Sequence, residues 1–236
     1  MTARERARPY TSPDPGAAVT QADAVPGSWF SARIYDPFLW LAERSGMAEL
    51  RRSLVTQAGG AVLEIGAGTG LNVAHYPDGL DRLVFCEPEP HMAQRLRRRV
   101  AHLGRSVQVV RAPAEMLPFE DATFDTVVST LVLCTVTDPE SSLDEVRRVL
   151  RPGGALLFLE HVRADGARLG RWQDRLQGPW AAFADGCHCN RRTLERLRAR
   201  GYAVSVTDRA TWRRMPPIVR PLVAGRAVPV GGGTIA

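Results

Sequence analysis

Residues 61–77 read AVLEIGAGTGLNVAHYP: an apolar run of strand type, Ala61–Ile65, carries one carboxylate, Glu64, and opens directly into Gly66-Ala67-Gly68-Thr69-Gly70. Glycine admits positive φ and lets a ligand come close to the backbone. The pattern over residues 71–76 predicts the start of a helix after the turn. A strand, a glycine turn and a helix in that order form the opening unit of a doubly wound sheet, whose ligands bind beyond the carboxyl ends of the strands.

The rest of the chain repeats the alternation. Strands are expected at Arg82–Cys86 and at residues 107–110, 124–129, 155–159, 203–207 and 222–228. Met92, Leu96, Val100 and Leu103 mark one face of a helix that ends at Gly104. Asp138-Pro139 starts another, with an N-cap side chain and proline in the first turn; Arg151-Pro152-Gly153-Gly154 stops it. Trp172, Leu176, Trp180 and Phe183 suggest a long helix that Gly178-Pro179 would bend, and residues 190–200 a further helix capped by Gly201. The fold class is α/β: a Rossmann-like, mostly parallel seven-stranded sheet with helices on both faces. Residues 1–26, rich in Pro, Ala, Asp and Arg, read as a flexible arm. Residues 27–236 read as a single domain with an N-terminal helical cap at 27–58 and a helical insertion at 163–200 on the acceptor side. In the cap, Phe30, Ile34, Phe38 and Leu41 recur at helical spacing, interrupted by Pro37.

The 236 residues allow one large domain with a real core. No apolar run reaches the roughly 20 residues of a membrane span, and no signal peptide is evident, so a cytoplasmic protein without stable membrane insertion is expected. The net charge of +6 is carried by arginine alone, with no lysine, which points to codon composition rather than a nucleic-acid surface. Cys86 and Cys134 sit in apolar runs and read as small core residues. Cys187-His188-Cys189 has neither the spacing nor the second cluster of a structural zinc site, so no metal is expected.

The turn also narrows the ligand. A dinucleotide fingerprint is G-x-G-x-x-G; here the spacing is G-x-G-x-G with Leu71 in the sixth position. Glu64 before the turn suits an amino group better than a phosphate. Glu87, at the end of the second strand, can take two ribose hydroxyls. These features describe a ligand with an ammonium and a ribose and without phosphate.

The chain resembles the class I S-adenosylmethionine-dependent methyltransferases. LEIGAGTG is similar to their first motif, CEPEP to their second-strand acidic motif, APAEMLPFEDATFDTVVSTLVL to their adenine-side loop and fourth strand, and EVRRVLRPGGALLFLEHV to the following helix, turn and strand. The resemblance covers about residues 28 to 230. It implies that Gly66, Ala67, Gly68 and Gly70 pass beneath the methionine part of S-adenosylmethionine, that Glu64 orients the loop or reaches the ammonium through water, and that Glu87 accepts from the ribose. Pro88 and Met92 would flank the adenine, Ala114 and Glu115 would lie on its other side, and Leu131 would close the pocket near the methyl group. Family members often carry Asp or Asn before the Ala-Glu pair; Pro113 stands there instead and offers only a carbonyl.

STLVLCTV, EHV and DGCHCNRRT resemble the methyltransferase-like 7 branch, which is similar to small-molecule thiol methyltransferases; quinone-biosynthesis methyltransferases are close relatives. The resemblance implies methyl transfer to a small lipophilic acceptor, with thiol S-methylation leading and S-adenosylhomocysteine as product. The alternatives are C- or O-methylation of a quinone, phenol or lipid headgroup, and a non-catalytic cofactor-binding scaffold. A thiol, with a pKa of about 8.5, needs less help to ionise than a phenol at about 10. The aromatic residues Trp29, Phe30, Tyr35, Phe38, Trp40, Trp172, Trp180 and Phe183 read either as helix-packing core or as an apolar acceptor pocket. His161 and His188 are candidates for a base or for stabilising a thiolate, or are ordinary structural histidines; Tyr35 could bond the cofactor's methionine end. A monomer or homodimer is expected.

Overall fold

The computed structural model describes residues 46–103, 107–184 and 186–231. The expected arm, the helical pattern before residue 45 and Tyr35 lie outside them. Seven strands form one sheet in the order β3-β2-β1-β4-β5-β7-β6. β1 (Ala61–Ile65), β2 (Arg82–Cys86), β3 (Gln108–Val110), β4 (Phe124–Thr130) and β5 (Leu150–His161) are parallel. β7 (Pro221–Pro229) runs antiparallel to both β5 and β6 (Tyr202–Thr211). The sheet is therefore mostly parallel, as the alternation predicted.

β1 is an interior strand between β2 and β4, and all five of its residues are buried. Because side chains alternate across a strand, its two faces feed two cores. Leu63 and Ile65 pack with Leu143, Val146 and Val149 of α3 (Pro139–Val149) and with Leu197 of α5 (Thr193–Ala199). Val62 packs on the other side with Leu54 and Val55 of α1 (Ala48–Val55) and with Leu96 of α2 (Pro90–Val100). Each such aliphatic side chain, fully buried, contributes roughly 1.5–3 kcal/mol. Glu64 shares the parity of Val62 and so faces the α1 side.

Both helices that follow β2 and β4 start where a side chain caps them. The Glu89 carboxylate accepts from the Met92 N–H at 2.6 Å, with Pro90 in the first turn. Asp138 Oδ1 accepts from the Glu140 and Ser141 N–H groups, with Pro139 behind it. The caps supply partners for amides that the first turn leaves without any.

The structure departs from the sequence reading in three places. No α-helix forms over residues 71–76; the chain makes one 3₁₀ turn, Val73–His75. Tyr76 precedes Pro77 and is held extended (φ −68°, ψ 133°), which ends the turn. β5 starts earlier than expected: α3 stops at Val149, Leu150 already pairs with Phe124, and a register shift brings Ala155 opposite Thr126. Lastly, α4 (Ala167–Phe183) runs through Pro179 and buries only Gly170 and Gln173. Trp172, Leu176 and Phe183 are 51%, 38% and 61% exposed, so the core reading of this aromatic stripe does not hold for them.

Candidate functional site

The glycine turn leaves β1 at its carboxyl end and returns against β2, where the Ala67 N–H donates to the Cys86 carbonyl. Gly66, Gly68 and Gly70 all take positive φ, at 55°, 57° and 83°. Their surroundings differ. A Cβ on Gly66 would lie 2.6 Å from Val132 Cγ2, and one on Gly70 would lie 2.6 Å from Leu96 Cδ1, so protein packs against both. A Cβ on Gly68 would meet nothing within 4 Å. The turn is open at that one glycine.

Glu87 stands beside the opening. Its Oε2 accepts from the Gly68 N–H at 2.7 Å and its Oε1 from the Glu89 N–H at 2.9 Å. Burial raises its pKa, and the two amides hold it back. Glu64 is more enclosed. Asn72 Nδ2 donates to its Oε1 at 2.9 Å and the Tyr76 hydroxyl donates to its Oε2 at 2.6 Å. Burial pushes its pKa up to about 7 against those bonds and the charge of Arg51. Asn72 Nδ2 also reaches Thr130 Oγ1 at the end of β4, and Arg51 Nη1 of α1 donates to Thr130 Oγ1 at 3.0 Å and to Asn72 Oδ1 at 3.2 Å. One buried polar network thus ties α1, β1, β4 and the segment after the glycine turn. Glu64 sits inside the protein, bonded to its own chain.

Of the other expected contacts, Pro88 is exposed and Met92 half-buried at the start of α2, beside Glu87. Ala114 is buried. The Glu115 carboxylate is turned to the segment before α3, where it accepts from the Thr137 and Asp138 N–H groups at 3.0 and 3.3 Å. Leu131 follows β4 with φ 61°, a left-handed conformation that costs a side-chain-bearing residue on the order of 1–2 kcal/mol. Its N–H is bonded to the Leu159 carbonyl at 2.8 Å. The next three amides, Val132, Leu133 and Cys134, all donate to the buried Glu160 carboxylate, which also accepts from Ser129 Oγ. Strain held this firmly is commonly found where a binding site needs a side chain placed.

His161 is buried and stacked on Trp212 with ring centroids 5.5 Å apart. Desolvation lowers its pKa to about 4, so it is neutral, and Nδ1 has no hydrogen-bond partner. This environment favours a packing role over proton transfer. His188 is half-buried, its Nδ1 against Gln177 Nε2; burial and then Arg191 lower its pKa. It lines a polar cleft of about 630 Å³ with Asp138, Arg163, Asp174 and Arg191. Beside it, Leu131 and Trp180 pack on Cys134, Ala184 and Cys187. A second hollow of about 420 Å³ is lined by Ala61, Arg82, Asp121 and Arg151, at the amino end of β1, away from the glycine turn.

Sequence reasoning did not anticipate Arg51, Asn72, Tyr76, Thr130 or Glu160 as site-building residues. A carboxylate in a buried strand requires donors, and Asn72 and Tyr76, close downstream of Glu64, were the available hint. Arg51 lies before the strand on another element, and no local pattern marks it.

A family model described as "Methyltransferase domain" matches residues 63–158. The chain is 35% identical over 226 residues to a human thiol S-methyltransferase, TMT1B, covering 87% of this chain and 91% of the relative. It is 37% identical over 109 residues to a demethylmenaquinone methyltransferase of Clavibacter sepedonicus, covering 46% of this chain and 44% of the relative. Among solved structures, an S-adenosylmethionine-dependent methyltransferase from Thermotoga maritima superposes with a TM-score of 0.63 at 23% identity, covering 84% of this chain and 97% of that one.

Proposed function

The chain belongs to the S-adenosylmethionine-dependent methyltransferases, and from that premise we propose that it methylates the sulfur of a small lipophilic thiol. The observation that carries the acceptor is coverage: the match to a thiol S-methyltransferase runs nearly end to end, whereas the quinone-type match spans less than half of either chain. C-methylation of a quinone is the alternative.

The residues fit the cofactor. Gly68 offers backbone with nothing in front of it, as a ligand lying on the turn requires. Glu87, held by two backbone amides, would take the ribose hydroxyls. Pro88, Met92 and Ala114 would border the adenine. Glu115, bonded to the segment before α3, would shape that border from behind. Glu64 would keep Gly66, Ala67 and Gly70 in register through Asn72 and Tyr76. Bound S-adenosylmethionine supplies a methyl group on a sulfonium.

The chain's own work is alignment and exclusion of water. Leu131, fixed by its conformation and by the grip of Glu160 on the following amides, would shape the pocket at the transfer point. Trp180 and the outer face of α4 would receive the apolar part of the acceptor. A thiol is already ionised to a few per cent at neutral pH, so little base catalysis is needed. His188, whose pKa burial and Arg191 lower, is the group we assign to take up the proton.

A panel of thiols, phenols and quinones with labelled cofactor tests the reading. Labelled thioethers from alkyl thiols are expected; labelling of quinones or phenols with thiols untouched would refute it. If His188 takes the proton, His188→Asn flattens the pH profile of kcat and leaves cofactor affinity unchanged.

A further inference from the structure

Cys134 and Cys187 are 53 positions apart in sequence, yet their sulfurs lie 3.8 Å from each other. Both are free and buried. The backbone holds them in register. The Cys134 carbonyl accepts from the His188 N–H at 2.7 Å, and the Arg191 guanidinium bridges to the carbonyls of Leu133 and Val136, both at 2.7 Å. Cys134 is fixed from the other side by Glu160. Cys86 and Cys189 pack instead in the two large cores of the sheet. Methyl transfer as derived above uses neither Cys134 nor Cys187.

We propose that Cys134 and Cys187 are a reversible oxidation site that closes to an intramolecular disulfide on exposure to a hydroperoxide. The chemistry balances in two steps. The Cys187 sulfur attacks the O–O bond and becomes a sulfenic acid, reducing hydrogen peroxide to water. The Cys134 sulfur then attacks the sulfenic sulfur, the S–S bond forms and a second water leaves. Two thiols lose two electrons and two protons, and one peroxide becomes two waters. A small thiol returns the pair to the reduced form by exchange.

The order of the steps follows from the surroundings. Cys187 retains 7% exposure and Cys134 only 1%. Cys187 is also the sulfur that is acidified, by its hydrogen bond with Cys134 and against its burial, whereas that same contact and burial raise Cys134. An acidified thiol beside a resolving thiol is the arrangement redox-active pairs use. The disulfide would link the turn carrying Leu131 to the segment carrying His188, across the wall of the acceptor pocket. The site stands whether or not the acceptor is a thiol.

The test is mass spectrometry of the intact protein, reduced, freed of reductant, exposed to hydrogen peroxide, alkylated with N-ethylmaleimide and digested with trypsin. Peptides containing Cys134 and Cys187 are expected to be joined, with fragmentation placing the alkyl group on Cys189. Dithiothreitol should separate them. In Cys134→Ser the sulfenic acid on Cys187 should persist and be trapped by dimedone. Alkylation of all four cysteines after peroxide, or a bond that uses Cys189 or a second chain, would overturn the proposal.

Discussion

Gly68 and Gly70 are two residues apart with φ of the same sign and opposite surroundings. Alanine at either position incurs the left-handed penalty, on the order of 1–2 kcal/mol. At Gly70 it adds overpacking against Leu96 and Val73, a further 1–3 kcal/mol or so. Gly70→Ala is therefore expected to lower Tm by more than Gly68→Ala. In Gly68→Val the added methyl groups would fill the open side of the turn where the cofactor is proposed to lie, and calorimetric titration with S-adenosylmethionine should show no heat. A Gly68→Val protein that is folded and binds normally would remove the turn from the cofactor site. The glycines, Glu64 and Glu87 could be picked out from residue spacing alone, because a positive φ and a carboxylate in an apolar strand are local oddities. What Glu64 touches was not apparent, since its donors are set by how the turn folds back.

α1 lays Arg51 over the ends of β1 and β4, and the long α4 barely enters the core, though both are helices on one sheet. Arg51→Met is expected to destabilise the protein by roughly 3–5 kcal/mol, the usual range for breaking a buried charged network. It should also weaken S-adenosylmethionine binding, because Asn72 and Thr130 lose the donor between them; equal affinity in mutant and wild type would confine Arg51 to stability. Asp138→Ala removes the acceptor for the Glu140 and Ser141 amides and should cost about 1 kcal/mol, read as a drop in Tm. The strands and α2, α3 and α5 could be seen in advance from their period, and α3 also from its Asp138-Pro139 start; Gly104, the expected stop of α2, lies outside the described residues. Residues 71–76 misled because Pro77 ends a pattern too short to make an α-helix. The aromatic stripe of α4 misled because helical spacing reports a shared face and says nothing of what lies opposite it.

Stability of the whole molecule carries two opposed proton linkages. Glu64 has its folded pKa raised from 4.5 to about 7, so its contribution is complete below pH 4.5 and is lost as pH rises through 7. His161 has its folded pKa lowered from 6.5 to about 4, so its contribution is complete above pH 6.5 and is lost as pH falls through 4. Between pH 4.5 and 6.5 the two slopes oppose each other. Urea unfolding at a series of pH values should show wild type losing stability relative to Glu64→Gln from pH 5 to 7.5, by roughly 2 kcal/mol. A flat difference would mean that Glu64 is ionised throughout.

One buried amide of α4 gathers four backbone groups of the body. Gln173 Nε2 reaches the carbonyls of Val162, Cys189 and Ile218, and its Oε1 accepts from the Ala164 N–H. The outward residues of that helix are consequently free to vary: exchanging Trp172, Leu176 or Phe183 alters what an incoming molecule meets without disturbing a strand or the glycine turn. In evolutionary terms the helix is an interchangeable facing. On the proposed reading, substitutions on that face would change which acceptors bind and leave the glycine turn as it is.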